Sequence, residues 1–216
     1  MLLYGRITSF KTKRIFIEKI SRDRLQDPGH GIEHILRVYN AGVQIGLKEN
    51  ANMSILEPAL LLHDIIRPTK EKEEEHASLS ANHAKDILPS YGYSEEEIKF
   101  ITDVILMHSR SSKQEGVKTL EAKIVYDADK QDGLGHAGIA RALLLCEARG
   151  YGLEKTAAWY LGRIVDVAKN EPLYTETGRN MANEKLQTSL EFCRKVLDQE
   201  YDKIINKELG SLEIRI

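Results

Sequence analysis

His63 and Asp64 stand side by side in Pro58-Ala-Leu-Leu-Leu-His-Asp-Ile-Ile-Arg67, an imidazole and a carboxylate where an apolar run would otherwise continue. Withdrawing both from water is costly, and a bound metal ion is the commonest compensation. Alone, the pair would read as an ion pair or a helix cap. His34 in Gly31-Ile-Glu-His-Ile-Leu-Arg-Val38 and Asp129 in Tyr126-Asp-Ala-Asp-Lys130 change that reading, because each also interrupts an apolar stripe. Two imidazoles and two carboxylates form a mixed nitrogen and oxygen donor set. It suits one divalent ion, manganese, magnesium, cobalt, nickel, iron or zinc, with positions left for water and substrate. The chemistry that follows is activation of water by a metal. No thiolate takes part, which argues against a structural zinc site. Within Asp127-Ala-Asp129 the expected ligand is Asp129, which shares an inward face with Val125 and Asp132.

Cations stand near these donors in the sequence. Arg67 lies one turn beyond His63 and Asp64, and a guanidinium there would offer a fork for phosphate oxygens. Arg37 and Lys130 are further candidates for substrate binding, weighed against the ordinary fate of Arg and Lys on helices, which is to snorkel to solvent. Asp132, His30 and His108 are candidates to move a proton, with Arg67 beside them to stabilise developing charge. His76, His83 and His108 are candidates for a second ion. The competing readings are exposed histidines for the first two and a satisfied core histidine for His108.

The elements that must position these groups read as helices throughout. Lys11 to Asp23 carries Ile15, Phe16 and Ile20 on one side and stops near Asp27-Pro28-Gly29. From Gly31 to about Leu47, His34, Val38, Ala41 and Ile45 recur at the spacing of one helical face. Ser54, with Glu57 three residues on and Pro58 behind, reads as a capping-box start for a helix reaching about Ile66. On it Leu56, Leu60, His63, Asp64 and Arg67 share a face. The charge run Glu71 to Glu75 reads as a solvated edge before a helix that ends at Pro89. Ser94-Glu-Glu-Glu opens another, with Ile98, Ile101, Ile105 and His108 aligned inward. Leu120 to about Arg149 is the longest pattern, with Val125, Asp129, Asp132, His136 and Leu143 near one stripe; Gly133, Gly135 and Gly138 imply a bend or a close backbone approach. Glu154 to Lys169 and Thr177 to about Tyr201 complete the series. Strand alternation is absent, so an all-α fold of seven or eight helices is expected.

The whole chain fits a single domain, 1–216, with its core at about 25–200. At 216 residues it can bury a sizeable core. A formal charge of -2 gives no electrostatic case for a nucleic acid polymer or an anionic membrane. Cys146 and Cys193, the only two cysteines, lie in helical patterns and read as core fillers of a reduced compartment. The apolar start, Met1 to Ile7, is too short and too soon followed by Lys11, Lys13 and Arg14 for a signal peptide, and no stretch approaches 18 apolar residues. The expected location is cytoplasmic.

His34, then His63-Asp64, then Asp129 resemble the H…HD…D signature of the HD-domain superfamily of metal-dependent phosphohydrolases. The likeness extends to Leu62-His-Asp-Ile65, to His76 through Ser80-Ala81, to Ile105-Leu-Met-His108, and to Asp127-Ala-Asp-Lys-Gln-Asp132 with Gly138-Ile-Ala-Arg141. Thr175-Glu-Thr-Gly-Arg179 resembles the closing helix of small stand-alone HD hydrolases. The chain departs from them at Gly31, where members often carry Asp after His, and at Gln131, where they carry Leu. The resemblance implies a helical bundle of the HD-domain, phosphodiesterase-like type, one divalent ion on the four residues, and a pocket lined by His108. It implies a phosphohydrolase acting on a small phosphorylated metabolite such as a nucleotide, at a phosphomonoester or pyrophosphate bond. A nucleotide-binding regulatory protein without turnover and a di-iron oxygenase of HD type are the alternatives.

Overall fold

Apolar residues at the helical spacing wind Ile32–Lys48 into α1, which buries Ile35, Val38, Tyr39 and Ile45. The structure is a computed structural model that describes residues 31–66, 75–108, 117–170 and 172–209. The expected helix at Lys11 to Asp23, His30, Arg67 and Glu71 to Glu74 of the charge run lie outside the described residues. Those described hold nine α-helices and no strand, so the fold is all-α. No helix among them is long and apolar enough to cross a membrane.

Two compact units divide the chain after Asp129. In the first, α1 packs on α2, Met53–Leu62, which packs in turn on α3, His76–Ile87, and α4, Glu95–Met107. The expected start and end of α2 are both corrected. Asn52 is the cap: its side-chain oxygen accepts from the Ser54 backbone N–H at 3.1 Å and from the Ser54 hydroxyl at 2.8 Å. Ser54 therefore has no capping box, and Glu57 is fully buried beside Tyr39 rather than turned back to the helix start. The helix stops at Leu62, so His63 and Asp64 sit in the turn that leaves it. At α4 the capping box forms as the sequence predicts, with Ser94 and Glu97 satisfying one another's backbone N–H groups. Between α3 and α4, Leu88–Tyr91 continues past Pro89 as a short 3-10 turn.

The pattern from Leu120 to Arg149 is not one helix. It breaks into α5, Leu120–Lys130, a 3-10 turn at Gln131–Gly133, and α6, Gly135–Glu147. Gly135 has φ 67°, a conformation costly for a residue with a side chain, and a Cβ at Gly138 would run into the Gly133 carbonyl oxygen. Of the two readings offered for these glycines the close approach holds, while in place of a bend the helix breaks. The stripe expected to continue to His136 and Leu143 does not, since both are exposed after the break.

In the second unit, α8, Glu176–Leu197, packs against α6 and against α7, Leu153–Asn170. A separate α9, Gln199–Leu209, takes up the end of the Thr177 to Tyr201 pattern after Asp198 turns to φ 47°. These two divisions raise the helix count above the seven or eight expected. Tyr160 donates to the Gly133 carbonyl at 2.9 Å and is bonded to the Ser189 hydroxyl at 2.9 Å, while the Gly135 N–H donates to that same hydroxyl at 2.7 Å. The 3-10 turn is thus held by side chains of α7 and α8. Cys146 and Cys193 are free thiols in the core, and burial pushes the Cys193 thiol up to about 12.

Candidate metal centre

Five helices of the first unit each bring a donor to one place. His34 comes from the first turn of α1, His63 and Asp64 from the turn after α2, His76 from the start of α3, His108 from the end of α4 and Asp129 from the last turn of α5. His34, His63, Asp64 and His108 are all buried.

Two of the histidines are oriented in the same way. His63 follows α2 and His108 follows α4, and each ring turns its Nδ1 back to the carbonyl three residues earlier, Leu60 at 2.9 Å and Ile105 at 2.5 Å. A carbonyl can only accept, so Nδ1 carries the hydrogen and Nε2 is the nitrogen left to face the centre. Metal-binding histidines commonly use their second nitrogen this way.

The Nε2 atoms meet the carboxylates. His34 Nε2 lies 3.5 Å from Asp129 Oδ1 and 3.7 Å from Asp64 Oδ2. His63 Nε2 lies 3.9 Å from Asp64 Oδ2 and 4.0 Å from Asp129 Oδ1. The other oxygen of Asp64, Oδ1, lies 3.7 Å from His108 Nε2 and 3.8 Å from His76 Nε2. These separations are too long for hydrogen bonds. They match donors sharing an ion, since bonds of roughly 2.0 to 2.6 Å leave neighbouring donor atoms roughly 3 to 4 Å apart. Two donor groups, His34, His63 and Asp129, and His63, Asp64 and His108, each have their atoms within 4.8 Å of one another.

Electrostatics favours the same use. Burial, partly offset by the neighbouring Asp64, lowers His63 to about 3, so its imidazole is neutral at ordinary pH. Its Nε2 is buried and has no hydrogen-bond partner among the described residues. A buried lone pair that faces carboxylate oxygens needs a cation between them, which is the fit expected for a divalent ion.

The remaining sequence candidates are placed differently. His83, two turns along α3 from His76, is half-buried and belongs to neither donor group. Arg37 is half-buried on α1, one turn after His34, and Lys130 is half-buried at the end of α5 next to Asp129. Asp132 is in the second unit and is ion-paired with Arg141 at 2.8 Å. Its carboxylate is engaged by a guanidinium, an arrangement that the helical stripe did not reveal. Two supports were also unmarked in the sequence. Glu121 at the start of α5 accepts from the Asn52 backbone N–H at 2.9 Å, tying α5 to the head of α2 across 69 positions. Ser80 holds Ile66, just beyond Asp64. No local signal could expose a contact between positions so far apart.

The family model of the HD domain matches residues 31–134. The chain is 30% identical over 190 residues to the Bacillus subtilis protein YpgQ, covering 85% of this chain and 89% of that one. A crystal structure of YpgQ in complex with ADP superposes with a TM-score of 0.66 at 27% identity, covering 94% of this chain and all of the other. A predicted HD superfamily hydrolase from an uncultured Thermotogales bacterium gives a TM-score of 0.61 at 26% identity, covering 87% and 90% of the two chains.

Proposed function

Because this chain belongs to the HD-domain superfamily, we propose that it is a metal-dependent phosphohydrolase acting on a small phosphorylated metabolite, a nucleotide in particular. The observation that carries this reading is the neutral, buried His63, whose Nδ1 is taken up by Leu60 and whose Nε2 faces Asp64 and Asp129 without a hydrogen bond. His34, His63, Asp64 and Asp129 would hold the ion. When bound, a divalent ion at such a site supplies a more acidic water and polarises a phosphoryl oxygen. Arg37, Lys130 and Arg67 are the groups we assign to phosphate binding, the last on its sequence position. His30, Asp132 and His108 are the groups we assign to proton movement. For Asp132 this requires its pairing with Arg141 to orient the carboxylate. The nucleotide preference is supported by the ADP bound to YpgQ.

One observation favours a second reading, a two-ion centre. Asp64 turns one oxygen to His34 and His63 and the other to His76 and His108, as a bridging carboxylate would. An oxygenase with two irons would use that arrangement. Chelator-stripped protein reloaded with manganese, magnesium, cobalt, nickel or iron, counted for metal and assayed on nucleoside mono-, di- and triphosphates, decides among these readings. Release of phosphate or pyrophosphate that depends on the metal is the expected result. Nucleotide binding without turnover under every metal would replace the enzyme by a regulatory protein. Two irons per chain with oxygen uptake would replace it by an oxygenase.

A further inference from the structure

The chain leaves α2 abruptly, and His63 and Asp64 depend on how it does so. His63 still has helical φ and ψ, -54° and -36°, and the Ile65 N–H still reaches back to the Leu62 carbonyl at 3.2 Å. Ile65 and Ile66 themselves are not helical. Ile66, two residues beyond Asp64, is held instead by one side chain. The Ile66 N–H donates to the Ser80 hydroxyl oxygen at 3.1 Å, and the same hydroxyl donates to the Ile66 carbonyl at 3.3 Å. A serine hydroxyl has one donor and two lone pairs, so it can satisfy both backbone groups of a single residue at once. Ser80 is completely buried and Ile66 half-buried, so the hydroxyl is fixed from the core side of the turn.

Ser80 also lies four residues after His76 on α3, and residues at that spacing share a helical face. The face that sends His76 Nε2 to within 3.8 Å of Asp64 Oδ1 therefore also grips the backbone just past Asp64. We propose that Ser80 is a positioning residue of the candidate metal centre, fixing the exit of α2 so that His63 and Asp64 present their donors together. It acts through the backbone of Ile66 and touches no ion. Packing is a poor alternative account of this serine, because alanine would fill nearly the same space while making neither bond.

This inference rests on the metal-binding reading above, and its test separates the two. Manganese(II) affinity of the chelator-stripped full chain is measured by titration calorimetry, and hydrogen exchange at the Ile66 amide is followed without metal. Ser80→Ala should bind manganese 10- to 100-fold more weakly, the range seen when a partner supporting a metal ligand is removed, and should exchange Ile66 faster. Ser80→Cys, which keeps a weak donor and acceptor, should lie between alanine and wild type. It serves as the measurement if the alanine variant does not fold. Ile101→Val on α4 is the control for destabilisation alone and should keep wild-type affinity. Wild-type affinity in Ser80→Ala or Ser80→Cys, or an equal loss in Ile101→Val, would overturn the role of Ser80. Failure of the wild-type chain to bind manganese would overturn the metal reading itself, and the positioning role with it.

Discussion

At the scale of single residues, Asp64 and His108 face one another but carry different consequences. Asp64 offers both oxygens to the surrounding imidazoles and is completely buried, whereas Asp129 faces only His34 and His63 among them. Asp64→Ala should leave the purified protein with background metal by elemental analysis and no measurable turnover. His108 ends a helix whose buried side is Ile98, Ile101, Val104 and Ile105, so leucine suits its surroundings. His108→Leu should fold normally yet lose roughly 10²–10⁴-fold in kcat if its Nε2 relays a proton. A lowered metal count in that variant would make it a second-ion ligand. Unchanged metal and unchanged kcat would make it a core residue and remove it from the site.

At the scale of elements, the instructive helix is α2, whose ends differ from the sequence pattern by two to four residues. A serine followed by a glutamate three positions later was present, but the competing carboxamide of Asn52 reached the same backbone first. The Glu57 side chain was drawn inward to Tyr39. Asn52→Ala should therefore cost about 1 kcal/mol of stability in urea unfolding, whereas Ser54→Ala should cost little. Equal losses in the two variants would return the cap to Ser54. Where no such competitor exists, at Ser94, the same pattern gave the capping box it predicts.

At the scale of the whole molecule, a metal that binds only the folded chain should stabilise it by mass action. Saturation at a hundredfold above the dissociation constant adds about 2.7 kcal/mol, and so raises the melting temperature by roughly 5–10 °C for a chain of this size. Calorimetric scans of stripped and reloaded protein test this; overlapping scans would mean that the chain takes no ion. Alkali should act on both units, since burial beside Glu57 also raises the Tyr39 hydroxyl of the first. Burial raises the Cys193 thiol from 9.0 to about 12 and the Tyr160 hydroxyl from 10.0 to about 12, so the folded state holds these protons more tightly than the unfolded chain does. Their contribution is complete below about pH 9 and is lost as pH climbs towards 12. Unfolding midpoints should fall across that window, and Cys193→Ala should shallow the fall; an unaltered slope would show that the thiol ionises freely in the fold.

The sequence by itself determined that this chain is helical and which of its residues interrupt apolar faces, because helix periodicity and the cost of burying polar groups are local properties written into spacing and residue type. His34, Ile98, Ile101, Ile105 and His108 were legible as inward on that ground alone, and all are buried. Only the tertiary structure decided where helices break, as at Gln131–Gly133, since that break depends on Gly133 meeting Gly138 and on Tyr160 and Ser189 arriving from other helices. The tertiary structure alone, likewise, sets the two oxygens of Asp64 towards different pairs of histidines, engages Asp132 with Arg141, and places Ser80 against Ile66. Each is a contact between segments whose separation in sequence carries no trace of their separation in space, so packing and not periodicity had to supply it.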